Sequence, residues 1–121
     1  TTRFCYGNTL TQKHANFGHT ESGGNHPQAR TSIVGSFPAN PWGIYDMHGN
    51  VWEHVLDTYS ETYDCTPCNG QAWMPVDAGD DRVVRGGSFS YGAKDNRSAV
   101  RCFHAKDTPD VQHGFRIVRD I

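Results

Sequence analysis

"DMHGNVWEHV", residues 46–55, sets a carboxylate, Glu53, just past a Gly49–Asn50 pair and inside an otherwise apolar run. Val51, Trp52, Val55 and Leu56 want burial, and a carboxylate among them must be paired, hydrogen-bonded or metal-bound to be tolerated. A Gly-Asn pair punctuates the chain as a turn. A period of two after it puts Val51, Glu53 and Val55 on one face of a strand and Trp52, His54 and Leu56 on the other. The stretch predicts a strand over 50–56, with a single helical turn as the alternative.

Further β-branched and aromatic runs stand between Gly, Pro and Asn: "TSIVGSF" (31–37), "RVVRGGSFS" (82–90), "SAVRCF" (98–103) and "GFRIVRD" (114–120). They read as strands of about 4–7 residues. Helical periodicity is weak, and only Thr9 to Phe17 reads as a short, irregular helix. Two long connections, His19–Thr31 and Asp57–Asp81, are of a size that in a compact domain is functional or specially tethered. The expectation is an α+β domain of short, distorted antiparallel strands, few helices and long irregular loops.

The 121 residues suit one domain with one modest core. Lys and Arg (11) are outnumbered by Asp and Glu (13), which argues against a nucleic-acid footprint. No apolar run reaches the length of a membrane span, and residues 1–20 lack the apolar centre of a signal peptide. The opening "TTRFCYG" has no initiator Met, as in a trimmed or C-terminal piece of a longer chain. Of the cysteines Cys5, Cys65, Cys68 and Cys102, only the pair in "YDCTPCNG" has suggestive spacing. It reads as free thiols, a local disulfide or half of a zinc site that lacks a second Cys pair.

From "VGSFPANPWGIYDMHGNVWEH" through "RVVRGGSF", "RSAVR" and "GFRIVR", the order and spacing of motifs resemble the formylglycine-generating-enzyme (sulfatase-modifying factor) domain family. The resemblance runs from about Thr1 to Arg119 and implies a single C-type-lectin-like domain over 1–121. Members carry further strands and a helix ahead of the position of Thr1. The family segment matching "DMHGNVWE" wraps calcium, which implies side-chain oxygens from Asp46 and Glu53 and backbone carbonyls from Gly49 and Val51. Calcium takes six to eight oxygens, so a second reading stays open. In it Glu53 pairs with one of the arginines Arg82, Arg85, Arg97, Arg101 or Arg116. The family's other calcium site, beginning at the position of Asn16 and Phe17, finds no acidic partner in "ESGGNHPQARTS".

The family's oxidase binds copper through two cysteines placed after the "GGS" motif, and here those positions hold Tyr91 and Asn96. Neither is a thiolate or a soft copper ligand, so neither copper nor that oxidase activity is expected. A second branch that the motifs resemble, the variable proteins of diversity-generating retroelements, uses this scaffold without catalysis. That likeness implies a displayed surface of Phe89, Ser90, Tyr91, Gly92, Asp95, Val100, Cys102, Phe103, His104 and His113, binding a protein or glycan. Tyr91 and His104 are expected to be exposed; Phe89 and Phe103 read equally as core or display. Arg97, Arg101 and Arg116 are expected as partly buried tethers of loop carbonyls and carboxylates. Gly86 and Gly87 would turn the chain beside the sheet, and Trp42, Trp52 and Trp73 would fill the core. The alternative function is an oxidase of the formylglycine-generating type, or an accessory domain of a larger enzyme.

Overall fold

Four short strands carry the regular structure of the computed structural model, which describes residues 1–18, 30–64, 67, 69–77 and 79–119. They are β1 (Trp52–Thr58), β2 (Asp81–Arg85), β3 (Cys102–Ala105) and β4 (His113–Gly114). One sheet joins them in the order β3-β2-β1-β4. The β1–β2 and β2–β3 pairs are antiparallel and the β1–β4 pair is parallel. A 3-10 turn at Ala93–Asn96 is the helical element among the described residues. Among the described residues the domain is strand-rich and nearly helix-free.

Several expectations change. The segment 9–17 forms a turn closed by His14 N–H on the Thr11 carbonyl rather than a helix. "TSIVGSF" turns at Val34–Gly35, where Ser36 N–H bonds the Ile33 carbonyl, and Ile33 and Val34 stay exposed. β-branched propensity makes a strand only where the side chains pack, and these two have nothing to pack on. Among the described residues of the run 114–120, only Gly114 enters the sheet, in β4 with His113. Leu56 is 70% exposed, because the β1–β2 register shifts between His54 and Thr58 and breaks the alternation. Trp42 is 85% exposed at the tip of a loop, where Asn40 Oδ1 accepts the N–H groups of Trp42 and Ile44. Trp52 is buried as expected, and Trp73 is half-buried, its backbone N–H donating to the Asp57 carboxylate of β1.

The interior is unusually polar. Phe4, Leu10 and Ala15 form one apolar cluster, and Trp52, Val83, Val84 and Phe89 are buried around the sheet. Beside them His48, Asn50, Ser88, Ser90 and Asn96 are also buried. Backbone bonds sew the segments together: Asn50 N–H to the Asn16 carbonyl, Phe89 N–H to Asn50, and Gly49 N–H to Gly86, each 2.8 Å. A core this small leaves coil segments to be held by specific hydrogen bonds, and the sequence supplies them.

Candidate functional site

Glu53 and His54 are adjacent on β1, so their side chains leave the sheet on opposite faces. On the Glu53 face, Arg116 Nε lies 2.8 Å from Oε2 and its Nη2 lies 2.6 Å from Oε1. Nη2 also donates to the Tyr45 carbonyl at 3.0 Å. The two-pronged contact joins the "GFR" segment to β1 and to the preceding loop. Its side chains are 32% exposed for Arg116 and 22% for Glu53. Of the five arginines weighed as partners for Glu53, Arg116 is the one that takes it. Asp46, Gly49, Val51 and Glu53 line a single cleft of about 350 Å³ together with Phe115 and Arg116. Asp46 Oδ2 accepts the Gly35 N–H at 2.7 Å. The four residues are thus brought together, but the carboxylate of Glu53 is already neutralised by a guanidinium.

The other arginines tether loops. Arg101 Nη2 donates to the Ser60 carbonyl at 2.9 Å and its guanidinium lies 4.3 Å from the Tyr63 ring centre. Arg85 Nη2 reaches the Ser98 carbonyl at 2.7 Å. Arg97 is exposed and, among the described residues, its side chain bonds the nearby Lys94 carbonyl, so it is a local clasp rather than a buried tether.

The two positions that hold cysteine in the family oxidase are now placed. Asn96 is fully buried, and its Nδ2 donates to the carbonyls of Tyr91 (3.0 Å) and Gly92 (2.8 Å). It occupies the space left by Gly87, whose φ is 79° and where an added Cβ would stand 2.1 Å from Asn96 Oδ1. His48 Nδ1 lies 2.7 Å from the Asn96 carbonyl, while Nε2 accepts the Cys5 N–H at 3.1 Å. That fixes a neutral ring with its proton on Nδ1. Burial pushes His48 below the usual histidine range, partly offset by the Asn96 carbonyl. Tyr91 is half-buried, edge-on to Trp52 at 5.6 Å between ring centres. Burial first, then the neighbouring Cys102, Asp110 and Asp95, push its phenol above the usual value.

The His54 face is different in kind. Pairing places His54 beside Val84, Cys102 beside the same Val84 on the other side, His104 beside Arg82, and His113 beside Trp52. Directly paired residues share a face, so three histidines converge. In a flat sheet the outer strands β3 and β4 would lie about 14 Å apart, three strand spacings. The rings of His104 and His113 nevertheless stack at 3.8 Å, so this face of the sheet is concave. His54 lies 5.7 Å from His104 and 5.6 Å from His113. Among the described residues the buried Nδ1 atoms of His104 and His113 have no hydrogen-bond partner, although Asp110 Oδ1 lies 3.4 Å from that of His113. Burial, and then the adjacent imidazoles, hold His54 and His113 below the usual histidine range.

The expected display residues divide. Tyr91, Cys102, His104 and His113 belong to the concave face, all half-buried. The expectation of exposure for Tyr91 and His104 is thereby corrected: Trp52 covers the one and His113 the other. Phe89, Ser90 and Gly92 lie beneath the surface. Ser88 and Ser90 both share the Gln112 side-chain oxygen. Phe103 is 50% exposed on the opposite face, beside Val83 and the Tyr59 ring. Asp95 and Val100 are half-buried in the 3-10 turn and ahead of β3. Cys65 and Cys68 lie outside the described residues. His54, Asp110 and Gln112 escaped the sequence reading. Alternation along "NVWEHVL" already separated His54 from Glu53, but nothing in the spacing linked it to histidines fifty and more residues on.

Residues 1–121 match the family described as sulfatase-modifying factor enzyme 1-like domain. The serine/threonine-protein kinase pkn1 of Chlamydia caviae is 31% identical over 98% of this chain and 18% of its own length. The formylglycine-generating enzyme of Mycobacterium tuberculosis is 33% identical over 74% of this chain and 33% of its own. Among solved structures, PvdO from Pseudomonas aeruginosa superposes with a TM-score of 0.73 at 38% identity, covering 85% of this chain and 38% of that one. Treponema denticola variable protein 1 superposes with a TM-score of 0.69 at 22% identity, covering 95% and 40%, a likeness of fold alone. The chain spans well under half the length of each of these proteins. Among the described residues no helix is long and apolar enough to cross a membrane.

Proposed function

The chain belongs to the sulfatase-modifying factor enzyme 1-like domain family, and on that premise we propose that it is a non-catalytic, C-type-lectin-like scaffold that binds a protein or glycan. The ligand meets the concave face around Tyr91, Cys102, His104 and His113, as a retroelement variable protein would meet its target. The observation that carries this reading is Asn96. At a position where the oxidase needs a copper-binding thiol stands a fully buried amide bonded to two backbone carbonyls. That is a structural post, and its partner position is a tyrosine packed on Trp52. Likeness of fold to a variable protein supports the reading as well.

The test is direct. The protein is incubated with copper, oxygen and a Cys-containing sulfatase-type peptide, and the products are read by mass spectrometry. No aldehyde above background is expected; turnover would overturn the reading in favour of an oxidase. The coding locus supplies a second check, since a near-copy of the DNA for residues 89–113, differing at adenines beside a reverse transcriptase gene, is expected there.

A structural calcium held by Asp46, Gly49, Val51 and Glu53 is a separate proposal, supported by their lining one cleft. Arg116 is its competitor for Glu53. Calcium that binds only the native state raises the melting temperature by mass action. Restoration by calcium of a melt lowered by EDTA, lost in Glu53→Gln, is the expected result. A melt indifferent to both leaves Arg116 as the partner of Glu53 and removes the metal.

A further inference from the structure

We propose that His104, His113 and Asp110 form a binding site for a divalent transition metal of the zinc class, with His54 at its edge. One donor atom from each of the three lies within 4.8 Å of the others. Zinc–nitrogen bonds of 2.0–2.1 Å in a tetrahedron put donors about 3.3 Å apart, so the set closes when the donors draw in and one ring turns out of the stack to aim its in-plane lone pair at the ion. Imidazole with carboxylate suits zinc and its transition-metal neighbours rather than calcium or magnesium.

The strongest argument is a contrast within the molecule. His48 is buried for structural reasons, and both of its ring nitrogens are bonded. Among the described residues His104 and His113 each keep a buried Nδ1 with no hydrogen-bond partner, although Asp110 Oδ1 stands 3.4 Å from His113 Nδ1. An unpartnered buried polar atom is costly; Asn96 Oδ1 is another, and what sets the two histidine nitrogens apart is the carboxylate of Asp110 grouped with them. The carboxylate is held in place: Asp110 Oδ1 accepts the Gln112 N–H at 2.7 Å, and the Asp110 carbonyl accepts the His113 N–H at 3.2 Å. Asp110 is exposed while both rings are half-buried, so an ion has a way in from the carboxylate side. Three protein ligands leave one position of a tetrahedron, open to His54 or to a donor atom of a bound partner.

This site goes beyond the ligand-binding reading, since a metal would bind whether or not a macromolecule docks. The experiment uses the protein without an affinity tag and with Cys65 and Cys68 replaced by Ser, so that the thiol pair cannot account for the metal. After chelator treatment it is titrated with zinc chloride by calorimetry, and with cobalt(II) followed by visible absorption. One equivalent is expected, with cobalt bands in the ligand-field region. Asp110→Asn and His104→Ala should each weaken zinc by at least about tenfold, His54→Ala by less. Circular dichroism and urea midpoints establish that each variant is folded; Asp110→Asn, a conservative change at an exposed residue, is the variant least exposed to that objection. Absence of zinc binding, or affinity unchanged in folded Asp110→Asn and His104→Ala, overturns the site and leaves the scaffold reading standing. Oxidase turnover would do the reverse.

Discussion

Glu53 and His54 are neighbours on one strand with opposite surroundings. Glu53 meets a guanidinium on both oxygens, and that guanidinium also donates to a loop carbonyl. His54 faces two imidazoles whose buried nitrogens lack partners. One face of the sheet is therefore electrostatically complete and the other is not. A complete network stabilises, whereas an incomplete one spends stability on a feature kept for another purpose. On the proposed reading the ligand meets the histidine side and the carboxylate side is scaffold. The buried Asn96–His48 network is grouped with the scaffold because Asn96 Nδ2 and both His48 nitrogens are bonded, although Asn96 Oδ1 has no partner among the described residues.

The largest effects should come from the scaffold. Gly87→Ala puts a Cβ 2.1 Å from Asn96 Oδ1 at a φ of 79°, and a loss of about 3 kcal/mol or more is expected, read as failure to fold or a collapse of the urea midpoint. Asn96→Ala should lose about 3 kcal/mol by leaving two carbonyls without a donor. In the double variant the two losses should add incompletely, since removing the Asn96 amide takes away the two nearest atoms, at 2.1 and 2.4 Å, and leaves only Asn96 Cα at 2.9 Å. Simple additivity would mean that Gly87 is required by φ alone.

Arg116→Ala comes next. Breaking a buried pair costs about 3–5 kcal/mol, but this one is a quarter to a third exposed, so about 2 kcal/mol is expected after allowing for solvent. The urea midpoint should fall and, because the pair is partly screened, high salt should narrow the gap to wild type. A loss under about 0.5 kcal/mol would place the Glu53 pairing among ordinary surface ion pairs and weaken the comparison.

How far the sequence carried depended on the kind of interaction. Alternation and turn residues placed β1 and β2, because Trp52, Val83 and Val84 find burial where the pattern puts them. That Glu53 needs a partner followed from the cost of an unpaired carboxylate, but calcium and an arginine both stayed open, and no local rule singles out Arg116 from the others. The strand at 31–37 failed because propensity reports side chains and not what covers them. Exposure of Tyr91 and His104 failed for the converse reason: Trp52 and His113 cover them from far along the chain. The histidine cluster was not legible, since it is assembled by a curled sheet from three separate strands. No spacing rule reports curvature.

A smaller effect follows pH. Burial lowers His48, and burial with neighbouring rings lowers His54 and His113. The unfolded chain, with ordinary histidine pKa values of about 6.5, takes up protons first as pH falls. Their contribution to stability is therefore full above about pH 6.5 and is lost as pH drops through the lowered folded values. The urea midpoint should be lower at pH 5.5 than at 7.5; a flat or rising profile over that interval would show that the rings are not desolvated in the native state.

The smallest effect bears most directly on the central claim that the histidine face is a site on a separately stabilised scaffold. Urea titrations of His104→Ala and Arg116→Ala are run side by side on metal-free protein. His104→Ala removes an imidazole with an unpartnered buried nitrogen, so its lost packing is offset, and its midpoint should stay within about 0.5 kcal/mol of wild type at unchanged slope. Arg116→Ala should fall by about 2 kcal/mol. A loss of about 2 kcal/mol or more in His104→Ala, equal to that of Arg116→Ala, would make the stacked imidazoles part of the core and contradict the account.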